Sequence, residues 1–295
     1  MTVAVRADRW TVRDVRGWMI ERFERAGIEN PRLDADLLIS DVLACNRAGV
    51  IARLEQPLDA AERERLREHV RRRLNREPVA YILGLRGFGD VELRVGPGVL
   101  VPRPETEFVC DAAIEWLRGS DAPMGPVIDC GTGSGAIAIS IARRVADRRV
   151  YAVERAAAAV AWARTNIEQW ATSVELVEAD WHDALQRCGP FALVVSNPPY
   201  VPDADVPGQG IASPELKWEP ADALYAGPDG LDAIRTLVPA AHDALLPGGR
   251  LIFEIGAGQQ AAVASLLGQS GFDNIEWFND YGGIVRVASA RRPDK

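Results

Sequence analysis

The sequence predicts an α/β protein in which a small N-terminal helical domain precedes a mostly parallel, seven-stranded sheet with an antiparallel last hairpin. Residues 10–76 carry helical patterns and almost no strand pattern. After Glu105, short apolar runs alternate with helical stretches, which is typical of a parallel sheet covered by helices on both faces. Only Tyr281-Gly282-Gly283 separates the last two runs, too few residues for a parallel crossover, so these two strands must pair antiparallel.

The first two helices are predicted from their end signals. Thr11 is a candidate N-cap for the first helix, and Gly27 ends it. The second helix lies in NPRLDADLLISDVLACN, where Pro31 suits the first turn and the apolar residues repeat at helical spacing. Both helices therefore have one face available for a small core.

The third helix is strongly basic. It is written ERERLREHVRRRLNR over residues 62–76, follows the candidate cap Asp59, and carries Leu66, Val70 and Leu74 on one stripe. The stripe predicts that the helix docks on the other two. Its arginine-rich face is either a solvated surface or a local contact for an acidic partner or RNA.

The chain is predicted to have three parts. Residues 1–77 form the helical domain, for which we expect a role in docking the substrate. Residues 78–104 form a connector with a β-hairpin, because short runs such as Val91 to Val95 alternate and are separated by glycine and proline. Residues 105–295 form the sheet domain.

The sheet domain resolves into alternating predicted elements. The strands are 127–130, 149–154, 173–178, 191–196, 249–256, 273–279 and 283–289. The helices are 108–118, 136–146, 157–169, 229–246 and 258–269. A mainly parallel sheet that ends in an antiparallel hairpin is the architecture of the Rossmann-like class I methyltransferase fold.

Composition narrows the functional classes. The chain has 295 residues, 47% of them hydrophobic and 26% charged, as expected for an ordinary globular protein. No run approaches the roughly 20 apolar residues that span a bilayer, and the first ten residues lack a signal-peptide core, so we expect a cytoplasmic protein. The net charge of −8 argues against a broad surface that binds nucleic acid. The four cysteines are scattered and predict reduced thiols without a metal site.

A glycine-rich turn marks a candidate cofactor site. In VIDCGTGSGAIAIS, Gly131, Gly133 and Gly135 lie between a predicted strand and a predicted helix. Glycines there allow positive φ and a close approach of the backbone to a ligand. Because Ala136 follows, the same letters also satisfy the dinucleotide pattern GxGxxA. A nicotinamide oxidoreductase therefore has to be considered.

Three acidic residues around the same edge of the sheet help to decide whether the cofactor is a nicotinamide dinucleotide. Asp129, Glu154 and Asp180 each stand near the end of a predicted strand, where an open parallel sheet binds its ligands. Glu154 suits two ribose hydroxyls, Asp180 an adenine amine, and Asp129 a cationic amino-acid tail. Such an acidic rim favours S-adenosyl-L-methionine, which carries two cationic groups, over a pyrophosphate. Alternatively, each carboxylate only caps the helix that follows.

The stretch Asn197-Pro198-Pro199-Tyr200 predicts the chemistry. It follows the apolar strand FALVVS at the edge where the methyl donor is expected. A planar nitrogen is a poor nucleophile, and two oxygen acceptors, the Asn197 side chain and the Pro198 carbonyl, would hold its N–H bonds and offset the developing positive charge. The prolines fix φ and keep that carbonyl outward, and Tyr200 would lie against the flat substrate group.

Several alternatives remain at this point. Asn-Pro is also a common strand-terminating turn. The same pattern fits an amino-methyltransferase acting on a nucleobase in RNA or DNA, and a cofactor-dependent binding module without catalysis. The predicted scheme requires no general base, and neither His182 nor His242 has an obvious catalytic setting.

Five segments taken together resemble the HemK/PrmC family of protein glutamine methyltransferases. They are REPVAYILG, GPGVLVPRPETE, DCGTGSGAIAIS, VSNPPYVP and WEPADALYAGPDGLDAIR, in the family's order. The resemblance implies methylation of the glutamine side-chain amide in the Gly-Gly-Gln (GGQ) motif of peptide chain release factors, with S-adenosyl-L-homocysteine as product. It implies no membrane partner and no nucleic-acid substrate.

The resemblance also implies site residues. Those for the cofactor are Asp129, Gly131, Thr132, Gly133, Gly135, Glu154, Asp180, Trp181 and Asn197. Those for the substrate are Asn197, Pro198, Pro199, Tyr200, Arg103, Glu105 and Thr106, with Pro104 beside them. The chain departs from the family pattern at Glu154, where aspartate is usual, and at Ile284-Val285, where an Arg-Asp pair is usual. A paralogue that acts on another protein or a small amide therefore stays an alternative.

Overall fold

The computed structural model describes residues 10–205 and 213–294. The chain divides into two compact units, one ending at Gly84 and the other beginning at Leu85. The predicted division into three parts, with bounds after residues 77 and 104, stays a prediction. Each compact unit has hydrophobic clusters of its own.

The first unit is helical over its described residues. Its helices are α1 (Val12–Arg25), α2 (Pro31–Val42), α3 (Arg47–Ala52), α4 (Ala60–Leu74) and α5 (Val79–Leu83). Thr11 and Asp59 cap α1 and α4 as the sequence predicts, each in a capping box with the acidic residue three positions later. The short helices α3 and α5 were not predicted, because too few residues form them to show a helical period.

The apolar stripe of α4 packs into the core of this unit, together with the buried faces of α1 and α2. Most arginines of α4 have acidic partners inside the same unit. These pairs are Arg65 with Asp41, Arg67 with Glu64, Arg71 with Glu68, Arg72 with Glu77, and the buried pair of Arg73 with Asp34. This pairing favours the structural interpretation of the basic helix over an RNA contact.

The second unit begins with an antiparallel hairpin and continues into a seven-stranded sheet. The hairpin strands are β1 (Leu85–Phe88) and β2 (Val91–Arg94). The sheet strands are β3 (Val127–Cys130), β4 (Val150–Glu154), β5 (Glu175–Glu178), β6 (Phe191–Ser196), β7 (Leu245–Glu254), β8 (Asp273–Asn279) and β9 (Val285–Arg291). Their order is β5-β4-β3-β6-β7-β9-β8, with only β9 antiparallel to its neighbours. The predicted sheet is therefore confirmed.

Helices cover both faces of this sheet. They are α6 (Thr106–Arg118), α7 (Ala136–Arg144), α8 (Ala157–Trp170), α9 (Trp181–Cys188), α10 (Asp232–Ala244) and α11 (Gln260–Gln269). The first three pack in one apolar cluster and the last three in the other. Strand β6 lies between the clusters, which explains why every residue of FALVVS is buried.

The strand order reverses at β3, which lies between β4 on one side and β6 on the other. Loops after these strands diverge to opposite faces and leave a crevice at their carboxyl ends, where open α/β sheets bind ligands. Over the described residues, no helix is both long and apolar enough to cross a membrane.

Candidate active site

A cavity of about 580 Å³ opens at the carboxyl ends of the central strands. The loops after β3, β4, β5 and β6 all contribute lining residues, and so do residues 98–102 and the segment 220–236. Of the predicted site residues, the cavity is lined by Thr106, Gly131, Thr132, Gly133, Glu154, Asp180, Trp181, Asn197 and Pro199. Its volume lies in the range typical of small-molecule sites.

The glycine loop between β3 and α7 forms one wall. Gly131, Gly133 and Gly135 have φ of 74°, 57° and 87°, a region that other residues avoid. The loop is held to β4, because the N–H groups of Gly131 and Thr132 donate to the Val153 carbonyl at 2.9 and 2.8 Å. The Gly131 backbone also lies against the Trp181 ring, which a Cβ at position 131 would approach to 3.5 Å.

Glu154 and Asp180 face this wall from the neighbouring strands. Glu154 Oε2 accepts a hydrogen bond from the Gly133 N–H at 3.0 Å, and its Oε1 accepts from the N–H groups of Arg155 and Ala156. Asp180 caps α9 through the His182 N–H at 2.9 Å and lies 3.5 Å from the Arg155 guanidinium. The capping alternative is therefore realised for Asp180. Both carboxylates nevertheless line the cavity.

Asp129 lies deeper than the sequence predicts. Strand β3 continues to Cys130, and the Asp129 side chain is fully buried behind the loop rather than among the cavity-lining residues. Its Oδ2 accepts from the Thr132 hydroxyl at 2.5 Å and from the Ala138 N–H at 3.2 Å. Its Oδ1 is buried without a hydrogen-bond partner among the described residues. Burial raises the pKa of this carboxyl to about 7.

Asn197 lies at the end of β6 and lines the cavity. Its Nδ2 donates to the Thr106 hydroxyl oxygen at 3.0 Å, and the Thr106 hydroxyl donates to Glu254 Oε2 at 2.7 Å. Over the described residues no hydrogen bond to Asn197 Oδ1 is formed, so this oxygen stays available to a ligand. The hydrogen bond to Thr106 thus fixes the asparagine at the position predicted for substrate binding.

Tyr200 and Pro198 are placed differently from the other residues of this motif. The Tyr200 hydroxyl donates to Glu254 Oε1 at 2.9 Å, and burial raises the pKa of this phenol. Pro198 is buried, and neither residue is among those that line the cavity. The stacking role of Tyr200 and the acceptor role of the Pro198 carbonyl stay predictions.

The segment before α6 borders the same region. Arg103 pairs with Glu219 at 2.5 Å, and the second oxygen of this buried glutamate accepts from the Val101 N–H at 3.0 Å. Arg103 and Glu105 are not among the cavity-lining residues, whereas Thr106 is. Glu219 therefore connects the predicted substrate segment to the described residues that begin at 213.

Glu254, which is fully buried at the end of β7, is a further residue near the site that the sequence did not predict. The sequence does contain a signal for Glu254, because this acidic residue ends the apolar run RLIFE just as Glu154 ends VYAVE. Residues 218–235 carry part of the family resemblance, but the sequence predicts no site role for them. Over the described residues, no group of three or more histidine, cysteine, aspartate or glutamate side chains could hold a metal ion.

The sheet order and the glycine-lined cavity at its carboxyl edge define a methyltransferase of the Rossmann-like class. A solved 16S rRNA methyltransferase from T. Thermophilus, in complex with AdoMet and guanosine, shares this fold with a TM-score of 0.51 at 21% identity, over 70% of this chain and 49% of that one. A model of the PrmC N-terminal domain matches residues 14–84, and a model of the methyltransferase small domain matches residues 114–210.

Relatives extend the similarity over nearly the whole chain. The release factor glutamine methyltransferase of Burkholderia pseudomallei is 41% identical over 88% of this chain and 92% of its own length. That of Geobacter sulfurreducens is 38% identical over 96% of this chain and 97% of its own. The chain belongs to the release factor glutamine methyltransferase family, and the resemblance found in the sequence is confirmed.

Proposed function

We propose that this protein transfers a methyl group from S-adenosyl-L-methionine to the side-chain amide nitrogen of the GGQ glutamine in peptide chain release factors. Membership of the family supports the reaction class. The observation that carries the proposal is the Asn197 amide, which lines the cavity with its nitrogen bound to Thr106 and its oxygen available.

The residues around the cavity fit the proposed cofactor. Gly131 to Gly135 give a wall without side-chain bulk, with Trp181 beside it, and Glu154 and Asp180 supply carboxylate acceptors for ribose and adenine. The Asp129 carboxyl, whose unpartnered Oδ1 is buried behind the loop, would carry negative charge toward a cationic tail once the pH exceeds its raised pKa. When bound, S-adenosyl-L-methionine supplies an activated methyl group on a sulfonium. An acidic rim of this kind has little affinity for a pyrophosphate, which disfavours a nicotinamide cofactor.

The substrate end of the cavity suits a planar NH₂ group. Asn197 Oδ1 accepts one N–H, and the Pro198 carbonyl is proposed to accept the other, so the nitrogen is turned and held. Positive charge would develop on the nitrogen as it takes the methyl group and the carbon–sulfur bond of the sulfonium breaks to leave a thioether, and these oxygens would stabilise that charge in a water-poor site. The extra proton then leaves to water, so no side-chain base is needed.

A nucleobase amine presents the same NH₂ chemistry. Against it, the arginines of α4 are largely occupied by acidic partners within their own unit. The match of residues 14–84 to the PrmC N-terminal domain also supports a partner shared with the family.

The test is incubation of the purified protein with methyl-labelled S-adenosyl-L-methionine and a release factor, beside the variant of that factor with alanine in place of the GGQ glutamine. We expect label on the first protein only. Label on both factors, on other proteins alone, or only on added RNA or DNA would overturn the substrate assignment.

A further inference from the structure

A buried hydrogen-bonded chain connects the end of β7 to the asparagine of the cavity. Glu254 is fully buried and accepts two hydrogen bonds, from Thr106 Oγ1 at 2.7 Å and from the Tyr200 hydroxyl at 2.9 Å. Thr106, itself buried, also contacts Asn197 Nδ2 at 3.0 Å. Glu254 is not among the residues that line the cavity, so it acts on a ligand only through these neighbours.

When Glu254 is ionised, a count of protons fixes the direction of every hydrogen bond in this chain. An ionised carboxylate only accepts, and each hydroxyl has one proton to donate. The Tyr200 and Thr106 hydroxyls both donate their hydrogen bond to Glu254. The Thr106 oxygen can therefore only accept from Asn197, so the amide NH₂ must face Thr106 and Oδ1 must face away from it.

Reversing that amide would present the wrong group to the substrate. An NH₂ group in place of Oδ1 would repel a substrate N–H instead of accepting it, and would add positive character where positive charge develops during transfer. The reaction therefore depends on the orientation of Asn197 as well as on its presence. Nothing else among the hydrogen bonds of the described residues sets it.

We propose that Glu254 is a positioning residue which, through the Thr106 hydroxyl, holds the Asn197 amide with its oxygen toward the substrate, and through Tyr200 holds the rest of the motif. This inference rests on the proposed function, which it deepens. It assigns the buried glutamate of β7 to the methyl-acceptor half of the site.

Glu254→Gln and Thr106→Val test this proposal. A glutamine has nearly the same shape but an NH₂ group that donates, so Thr106 or Tyr200 loses its acceptor and the amide of Asn197 is released. We expect kcat for release factor methylation to fall 10- to 100-fold in each variant, the range typical when the hydrogen-bond partner that orients a metal ligand is lost. We expect the calorimetric Kd for S-adenosyl-L-methionine to change less than threefold.

Thr106→Ser is the conservative rescue, because it keeps the hydroxyl that both accepts and donates; we expect kcat within threefold of wild type. Thr165→Val and Glu175→Gln are matched controls on exposed sites away from the cavity, with unchanged kcat expected. If Glu254→Gln lowers the folded fraction, the comparison of kcat between Thr106→Val and Thr106→Ser tests the proposal by itself.

The pH profile separates positioning from simple structural support. Burial raises the pKa of Glu254 and Glu105 adds to this, while the hydrogen bonds from Thr106 and Tyr200 and the charge of Arg286 lower it. Arg103 is the further cation that acts on Tyr200. A protonated Glu254 donates as glutamine does, so wild-type kcat should fall as the pH drops through this raised pKa. In Glu254→Gln that fall should be absent.

Two results would overturn the inference. One is kcat within twofold of wild type in both Glu254→Gln and Thr106→Val. The other is an equal loss in Thr106→Ser and Thr106→Val. A wild-type protein that labels no release factor would instead refute the proposed function. The side-chain amide NMR signals of Asn197, which should shift in Glu254→Gln, would still decide the inference.

Discussion

At the scale of single residues, the Asn197 side chain has the most specific role. Asn197→Ala removes the oxygen that is proposed to accept the substrate N–H and leaves the glycine loop unchanged. We expect methyl transfer to fall by about 10²–10³, the cost of losing one preorganised polar group at a reacting centre. Cofactor affinity, measured by calorimetry, should fall less than tenfold. Equal turnover by the mutant and the wild type would contradict the mechanism.

Asp129 makes a separate prediction about stability and pH. Burial raises its pKa from 3.8 to about 7, and the charge of Glu154 adds to the rise, against the hydrogen bonds from Thr132 and Ala138. The folded state therefore holds the proton more tightly than the unfolded chain. The resulting stabilisation of the folded state is on the order of 4 kcal/mol in all. It is fully present below about pH 4 and is lost as the pH rises through about 7.

Asp129→Asn is neutral at every pH, so it should lack that loss. Relative to wild type, the free energy of unfolding of Asp129→Asn, measured by urea titration, should therefore increase between pH 5 and pH 8. Asp147→Asn, at an exposed carboxylate, is the matched control and should follow the wild-type curve. Parallel curves for Asp129→Asn and wild type would show that Asp129 is ionised throughout.

At the scale of elements, the turn before α10 supports the loop after β6. Gln259 Nε2 donates to the carbonyls of Tyr200 at 3.0 Å and Gly230 at 3.2 Å, so the two segments share one side chain. Gly230 has φ +73°, and a Cβ there would lie 2.2 Å from the Tyr200 carbonyl oxygen. Only glycine fits this approach.

Gly230→Ala should therefore lower the free energy of unfolding by at least about 2 kcal/mol, from positive φ and overpacking together. Methyl transfer should fall as well, since the Tyr200 backbone has to move. The control is Gly268→Ala in α11, where a Cβ would meet nothing within 4 Å. That change should be neutral or stabilise by up to about 1 kcal/mol. Similar effects in the two variants would contradict the assigned role of Gly230.

The same elements show how far the sequence predicts the structure. Period and length were enough for the buried strands, because FALVVS is apolar throughout and covered on both faces. They failed where β7 begins at Leu245, inside the predicted helix 229–246, because Pro247, Gly248 and Gly249 look like a turn. They also missed α9, whose eight residues are positioned by the Asp180 cap rather than by a long apolar repeat.

The candidate site was predictable to the extent that its residues are local in sequence. The glycine loop, Glu154, Asp180 and the asparagine motif can each be found from a strand and the residues that end it. Glu254 lies 148 positions from Thr106, and the hydrogen bond between them exists only once α6 and β7 are in place. Buried long-range polar contacts of this kind leave no periodic trace in the sequence.

At the scale of the whole molecule, the two compact units each keep a core of their own, and the first also contains a buried ion pair. Arg73 Nε lies 2.7 Å from Asp34 Oδ2, and both residues are buried. Removing one partner of a buried ion pair typically costs about 3–5 kcal/mol. By contrast, the Arg13–Glu55 pair is exposed, and its loss should cost about 1 kcal/mol or less.

Asp34→Asn should therefore lower the unfolding temperature of the helical unit, followed by circular dichroism, while Glu55→Gln leaves it nearly unchanged. The cavity and its glycine loop belong to the other unit, so the Kd for S-adenosyl-L-methionine should stay within twofold of wild type. If the helical unit docks the release factor as predicted, kcat/KM for that protein should fall with the folded fraction of this unit. A GGQ peptide, too short to need docking, should be methylated at the wild-type rate. Equal losses on peptide and protein would mean that the helical unit supports the catalytic unit instead of the partner.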